Sequence, residues 1–345
     1  MKRTIDFRYV VVRNGADCGT ICPDGTPKIK CDRKGQIKTS LSGKFRDTCG
    51  VNWLADQIRP EIIIDGVTYS LGVFLPATVR KEETSTQKLV SIEAFDKCWI
   101  VRDNYTESIL YLQSGTRYLD AINQLLTTCG ISLVSQVDNT ATLAEAREDW
   151  DIGTSYLVIV NQLLSEINYK PLWFDSQGVA ILEPINEPVA ENIRHTFDKN
   201  NIKSLMLPQI KRETDIFQAP NVFICVCNNA DKANSMVATS ENTNPQSPLS
   251  IQRRGRRIAA VYHIDNIADQ TELQKYADTL RNQSMIAGEA ISITTALLPG
   301  FGVGDVVGLL YDDLFTVCIE RAWDMRLEVG GEMTHTLDRV VVNLG

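Results

Sequence analysis

Apolar positions recur in the same order twice along the middle of the chain. Gly115-Thr116-Arg117-Tyr118-Leu119-Asp120-Ala121-Ile122-Asn123-Gln124-Leu125-Leu126 is matched by Gly153-Thr154-Ser155-Tyr156-Leu157-Val158-Ile159-Val160-Asn161-Gln162-Leu163-Leu164. The shared pattern is G-T-x-Y-L-x-x-[I/V]-N-Q-L-L, and the second repeat begins 38 residues after the first. In the first repeat Tyr118, Leu119, Ile122, Leu125 and Leu126 fall at helical spacing, which predicts an amphipathic helix with one apolar stripe. A threonine, Thr116 or Thr154, stands where an N-cap hydroxyl would accept a bond from an orphan backbone N–H. Strand-like runs follow each helix, at 131–134 and 171–174, with another at 179–182. Two repeats are too few to bury the continuous core of a solenoid. The pattern predicts a small duplicated α+β domain over residues 106–185, with something else on either side.

What flanks it alternates with the period of strands. Ahead of the repeats, strands are predicted at 7–13, 35–45, 62–64, 67–69, 71–75 and 89–96. Asn14-Gly15 and Asp65-Gly66 suit type I′ hairpins, which need positive φ at both central residues. A short helix over 51–58 is expected to stop before Pro60, which pushes its predecessor out of the α region. Residues 1–105 therefore predict a first β-barrel or sandwich, with residues 186–215 available to complete it. After a connector at 190–204, residues 216–345 predict a second β-barrel, with strands at 221–227, 258–262, 290–296, 305–310, 314–321 and 334–343. A polar loop is expected over 228–248. One helix, 271–287, interrupts the sheet: Thr271 and Gln274 form a capping-box pattern, Leu273, Tyr276, Ala277 and Leu280 a stripe, and Gly288 a close. The clustered glycines Gly300, Gly302 and Gly304 precede no helix and read as a turn, not a phosphate cradle. The fold class is mainly β with an α+β insertion: two barrels of tail-tube type, the type being supplied by the resemblance below, plus a duplicated helix–strand domain.

Composition narrows the function. The chain has 345 residues, enough for two or three domains. No apolar run approaches the roughly 18 residues that span a bilayer, so membrane insertion is not expected. The first residues lack the apolar core of a secretory signal, which predicts synthesis in a cytosol. Net charge is −8, yet residues 1–50 hold 11 Lys and Arg against 5 Asp and Glu, and the remainder 24 against 38. That balance argues against general or sequence-specific nucleic-acid binding, because an acidic surface repels phosphate.

Candidate chemistry is sparse. Nine cysteines without a secretory signal argue against a disulfide framework. Cys225 and Cys227 alternate in one strand and read as small buried hydrophobes. Cys18, Cys22, Cys31 and Cys49, spaced C-x3-C-x8-C-x17-C, could supply four thiolates to a structural zinc, but the paired C-x2-C knuckle is absent and the Cys49 spacing is loose; unliganded thiols are the preferred reading. His195, His263 and His335 lie in unrelated contexts, with His263 and Asp265 able to share a strand face. Asp312-Asp313 reads as a hairpin tip, and Arg253-Arg254-Gly255-Arg256-Arg257 as a solvated basic loop facing an acidic neighbour. No G-x-S-x-G, H-E-x-x-H or Walker pattern occurs. Neither a catalytic residue nor a cofactor, apart from the zinc candidate, is assigned, and an enzyme is not expected.

Several stretches resemble phage tail proteins of the baseplate-hub or tail-tip class. They are residues 37–45 (I-K-T-S-L-S-G-K-F), 51–60 (V-N-W-L-A-D-Q-I-R-P) and 65–74 (D-G-V-T-Y-S-L-G-V-F), then Glu289 to Ile293 followed by Pro299-Gly300 and Gly304-Asp305-Val306-Val307. With the N-Q-L-L helices between them, the likeness covers most of the chain. It implies two tube-type β-barrels separated by α+β insertions and assembled as a ring-shaped homotrimer. Three chains would present six similar units to a hexameric tail tube and hold a central spike or tip at the other end. The implied partners are the tail tube protein, the spike or tip protein, the tape measure protein and other baseplate proteins, and the implied location is the virion tail. The cysteine-bearing segment 16–34 departs from the opening hairpin of that family. The alternative in another class is a tail-associated cell-wall hydrolase, a peptidase or glycosidase.

Overall fold

Most of the predicted strands at the two ends of the chain form, and a computed structural model of the protein shows what each pairs with. The strand expected over 71–75 does not, because the chain enters a strand only at Leu75 and continues it to Glu83. Residues 3–47, 50–185, 188–213, 219–227, 236–264, 270–286, 289–311 and 314–340 are described. The chain divides into two units. The first holds residues 1–187, 296–303 and 322–333, and the second holds 188–295, 304–321 and 334–345. The whole is mainly β, with few helices.

In the first unit the leading strands are β1 (Ile5–Arg13), β2 (Ala16–Ile21), β3 (Lys28–Asp32), β4 (Thr39–Arg46), β5 (Gln57–Ile64), β6 (Val67–Ser70), β7 (Leu75–Glu83) and β8 (Lys88–Phe95). They make an antiparallel sheet in the order β2-β1-β5-β6 and a run β3-β4-β8-β7. Both predicted two-residue turns form, with φ of 51° and 78° at Asn14 and Gly15 and of 49° and 84° at Asp65 and Gly66. Tyr9, Phe45, Ile58, Ile62 and Phe74 fill the core between the strands. Residues 322–326 come back to pair with β3, Ala322 opposite Asp32 and Arg326 opposite Lys28. That return brings Trp323, Met325, Leu327 and Met333 into the same core.

The helix expected over 51–58 is absent. Residues 53–55 make a turn, and β5 runs from Gln57 straight through Pro60, opposite Tyr9. A side chain decides this: Asp56 accepts from the backbone N–H of Asn52 at 2.7 Å and from both arms of Arg13 at 2.6 and 2.7 Å. That buried clamp holds the chain in a turn and hands it to the sheet. Pro60 is tolerated because its carbonyl faces Leu71, so the N–H it lacks would also have pointed away from β1. A short helix, α1 (Cys98–Asp103), escaped the pattern reading; Asp96 accepts from the N–H of Cys98 at its start.

The repeats fold as predicted helices, α2 (Tyr118–Thr128) and α3 (Tyr156–Glu166), with β9 (Val134–Gln136), β10 (Trp173–Phe174) and β11 (Ala180–Leu182). Leu119, Ala121, Ile122, Leu125 and Leu126 are buried on α2, and Leu157, Ile159, Val160, Leu163 and Leu164 at the matching places on α3. Tyr118 and Tyr156 are half-buried at the edge of that core. The threonine caps do not form. The cap positions are Arg117 and Ser155, one residue later, and only Ser155 accepts a bond, from Leu157 N. The threonines are instead used by strand pairing that crosses between repeats. Gly115 N–H donates to Leu143 O, Leu143 N–H to Thr116 O and Tyr118 N–H to Ala141 O. In the second repeat Gly153 donates to Thr106, Thr106 to Thr154 and Tyr156 to Asn104 in the same way. Each helix thus starts against the strand that leads into the other.

The second unit contains β12 (His195–Asp198), β13 (Met206–Glu213), β14 (Val222–Cys227), β15 (Met236–Glu241), β16 (Ala259–Ile264), nearly all of β17 (Ala290–Ala296), β18 (Val306–Tyr311), residues 314–321 of β19 (Leu314–Arg326) and most of β20 (Glu332–Arg339). Its helices are α4 (Ile251–Arg254) and α5 (Gln270–Ile286). The larger sheet runs β13-β17-β20-β19, with β18 on β19 and β12 parallel to β18. Residues 186–215, considered as a completion of the first barrel, here supply β12 and β13, which pair with β18 and β17. A smaller sheet, β15-β14-β16, is covered on one face by α5, whose Leu273, Ala277 and Leu280 pack on Cys225, Cys227 and Ala238. Tyr276, placed in that stripe by spacing, is exposed. Thr271 lies inside α5 and not ahead of it, and the Gln274 side chain reaches across to Thr239 O and along the helix to Asp278. Gly288 lies outside the described residues. Part of the expected polar loop, Met236–Glu241, is a strand, because its alternation is long enough to pair with β14.

Leu125 and Leu163 occupy matching buried sites, so Leu125→Ala and Leu163→Ala should each cost about 2–5 kcal/mol in urea unfolding. Loss near zero in either variant would show that the leucine is not in a core.

Candidate functional site

The densest buried polar chemistry lies in the larger sheet of the second unit, where three adjacent strands each contribute one side chain. β17 supplies Thr295, β20 supplies His335 and β19 supplies Glu320. Thr295 Oγ1 lies 3.1 Å from His335 Nε2, and His335 Nδ1 lies 3.0 Å from Glu320 Oε2. Phe197 of β12 sets its ring 4.9 Å from that of His335 and 4.7 Å from that of His195. Around them Arg194 donates to Asp305 at 2.9 Å, and Arg321 pairs with the buried Asp338. Burial pushes the Glu320 carboxyl above the usual glutamate range, against the pull of His335. Burial holds His195 below the usual histidine range, helped by the charge of His335. The thiol of Cys318 is pushed up to about 12 by burial.

Hydroxyl, imidazole and carboxylate stand in the order that activates a nucleophile. Thr295, His335 and Glu320 are, however, 0%, 0% and 1% exposed, so no substrate reaches the hydroxyl. The chain of bonds ties three neighbouring strands at one register, although the second carboxylate oxygen of Glu320, Oε1, is buried without a hydrogen-bond partner. The sequence did not expose it because its members are 15 to 40 residues apart with no shared motif. The histidines read as unrelated are not so: His195 and His335 flank one phenylalanine ring, while His263 lies exposed on β16 in the smaller sheet.

Other candidate residues land apart. Cys18 is exposed on β2 and donates to Val11 O at 3.4 Å, Cys22 is exposed, and Cys31 is buried in the core of the first unit. Cys49, Asp265, Asp312 and Asp313 lie outside the described residues. Among the described residues no group of three or more His, Cys, Asp or Glu side chains is placed to hold a metal ion. Cys225 and Cys227 are buried under α5 as small hydrophobes. The basic run starts on α4, capped by Ser250 and ended by Gly255 at φ 63°, and Arg257 meets Glu241 at 2.7 Å. A recess of about 10 Å³, room for about one water molecule, is lined by Arg212, Glu289, Tyr311 and Arg339 among others. Among the described residues no helix is long and apolar enough to cross a membrane.

This mainly β chain, with a helix–strand module inside its first unit, has the fold of phage tail proteins. The tail protein from Neisseria meningitidis MC58 superposes with a TM-score of 0.70 at 14% identity, over 96% of each chain. The 43 kDa tail protein of prophage MuSo2 from Shewanella oneidensis gives 0.69 at 8% identity, over 96% of this chain and 98% of that one. The prophage tail protein gp18 from Listeria monocytogenes EGD-e gives 0.60 at 13% identity, over 95% and 94%. No protein-family model matches the sequence, and no curated protein matches it significantly.

Because the folded pKa of Glu320 is raised, its contribution to stability is complete below the ordinary glutamate range and is lost as pH rises through the folded value. Glu320→Gln carries no such loss. Its stability relative to the parent chain should therefore improve as pH rises from acid toward neutral, read from urea midpoints across pH. A difference that does not change with pH would show that Glu320 does not titrate between folded and unfolded states in that range.

Proposed function

We propose that the chain is a structural component of a phage or phage-like tail, a baseplate hub that joins the tail tube to a central spike or tip as a ring-shaped homotrimer. The observation that carries this reading is the likeness in fold, over 95–96% of the chain, to three tail proteins of nearly matching coverage. Fold alone does not give function; what adds to it here is the pairing of two β-rich units in one chain. Three chains bring six such units, the number that a six-fold tube presents. Heterologous contacts that close on themselves make such rings.

Charge adds a second strand to the reading. Beyond residue 50 the chain holds 38 acidic side chains against 24 basic ones. A bore lined with carboxylates would let exiting DNA pass without being held by the wall. The partners in this reading are the tail tube protein, the spike or tip, the tape measure protein and neighbouring baseplate proteins, met in the virion tail after synthesis in a bacterial cytoplasm. The role is non-enzymatic, in keeping with a hydroxyl–imidazole–carboxylate chain that is sealed from solvent.

Native mass spectrometry of the purified chain, 38.5 kDa per copy, tests the proposal. A trimer is expected. A dimer, or a monomer that persists at high protein concentration, would count against a hub that closes its own ring.

A further inference from the structure

The two repeats of the helix–strand module act as each other's control, because the same backbone carries different surfaces. Their buried positions correspond one for one, and the three hydrogen bonds that start each helix are the same. Both helices follow a glycine of similar conformation, Gly115 at φ 83° and Gly153 at φ 86°. Any difference at exposed positions is therefore not needed for folding.

Three exposed places around the start of each helix differ in one direction, while farther from the helix the exposed Tyr111 of the first repeat answers to Asp149 of the second. At the start of α2 they are Ser114, Asp120 and Thr142, all polar and exposed. At the start of α3 the corresponding places hold Ile152, Val158 and Tyr105, which are 63%, 47% and 51% exposed. Tyr105 bridges to Ser155 as Thr142 bridges to Arg117, so the correspondence is set by backbone pairing. The apolar set is held rigidly: Ser155 Oγ donates to Arg102 O at 2.7 Å, and the Arg102 guanidinium lies 4.2 Å over the Trp99 ring. Exposed aromatic and aliphatic side chains on a rigid frame are what anchors at protein interfaces look like.

The surroundings are acidic. Glu107, Glu148 and Asp151 are exposed nearby in sequence, beside Asp103 and Asp149, which pair with Arg102 and Arg147. A second protomer meeting this surface symmetrically would oppose like charges, which costs binding. The chain's own clustered cations are in large part engaged: Arg8, Arg13, Lys44 and Arg46 are in ion pairs, and in the basic run Arg253 donates to Pro245 O, Arg254 to Ala219 O, and Arg257 pairs with Glu241. We infer that the start of α3, with Tyr105, Ile152 and Val158 at its centre, docks a different protein through an apolar surface rimmed by Lys and Arg. The inference does not depend on the ring proposed above.

The test transplants one repeat's surface onto the other. The triple variant Tyr105→Thr, Ile152→Ser, Val158→Asp gives the second repeat the residues that the first uses on the same backbone. The probe is a fluorescein-labelled amphipathic helical peptide of Leu and Lys, with a Leu and Glu peptide as control, read by anisotropy. The full chain should bind the Leu/Lys peptide and not the control, and the triple variant should bind it about tenfold or more weakly. Because Val158→Asp adds a carboxylate, attraction by charge alone would leave binding unchanged or tighter, and either result overturns the proposal. The reciprocal variant Ser114→Ile, Asp120→Val, Thr142→Tyr should gain a second binding event, which keeps the proposal open to refutation if the first variant fails to fold. Absence of that gain would count against it. If instead the parent chain self-associates and the triple variant does not, the occupant is a second protomer and the inference is wrong.

Discussion

The first unit cannot be completed until residues 322–326 reach β3 from far along the chain, and much else follows from that. β3 takes as its partner residues 322–326, which place Trp323 and Met325 in the core with Tyr9, Phe45 and Phe74. Before that pairing, β3 would present an unpaired edge and the core would lack one wall, a condition that favours aggregation and slow folding. The segments inserted between these distant partners must therefore fold without waiting for them. The repeat module meets that demand: its helices, its strands and its own buried core all lie within residues 98–182.

Within the second unit, the polar tie of Thr295, His335 and Glu320 does related work by other means. Apolar alternation alone lets a strand slip by two residues and keep its pattern. A hydroxyl, an imidazole and a carboxylate that must meet at 3.0 and 3.1 Å do not allow that slip. The cost is a carboxylate buried away from water, which shows as a raised affinity of Glu320 for its proton. The same sealing that makes the tie useful for register takes it out of reach of any substrate.

Local signals in the sequence were legible where the chemistry is local. Both Asn-Gly and Asp-Gly turns, the repeat helices with their buried leucines, β17, and the thiol face of β14 follow from spacing and turn residues alone. Features decided by distant partners were not legible. Residues 51–58 have a helical look, but the Asp56–Arg13 clamp, reaching across 43 residues, turns them into the start of β5. Thr116 and Thr154 look like caps, yet strand pairing between repeats takes up their carbonyls and moves each cap by one residue. The polar tie is invisible for the same reason, since no local pattern joins β17, β19 and β20. The repeat pattern marked the module that carries the proposed docking surface. It did not mark the surface, which depends on Tyr105 lying beside the helix of the other repeat.

A hub that matches a six-fold tube with three chains makes a strong geometric claim. Single-particle electron microscopy of the purified chain tests it most directly, because it reads symmetry and channel together. The account predicts a three-fold ring with a central channel, whose two β-rich units per chain alternate around it as six similar lobes. A particle of two-fold symmetry, or a ring of three without six similar lobes, would contradict it.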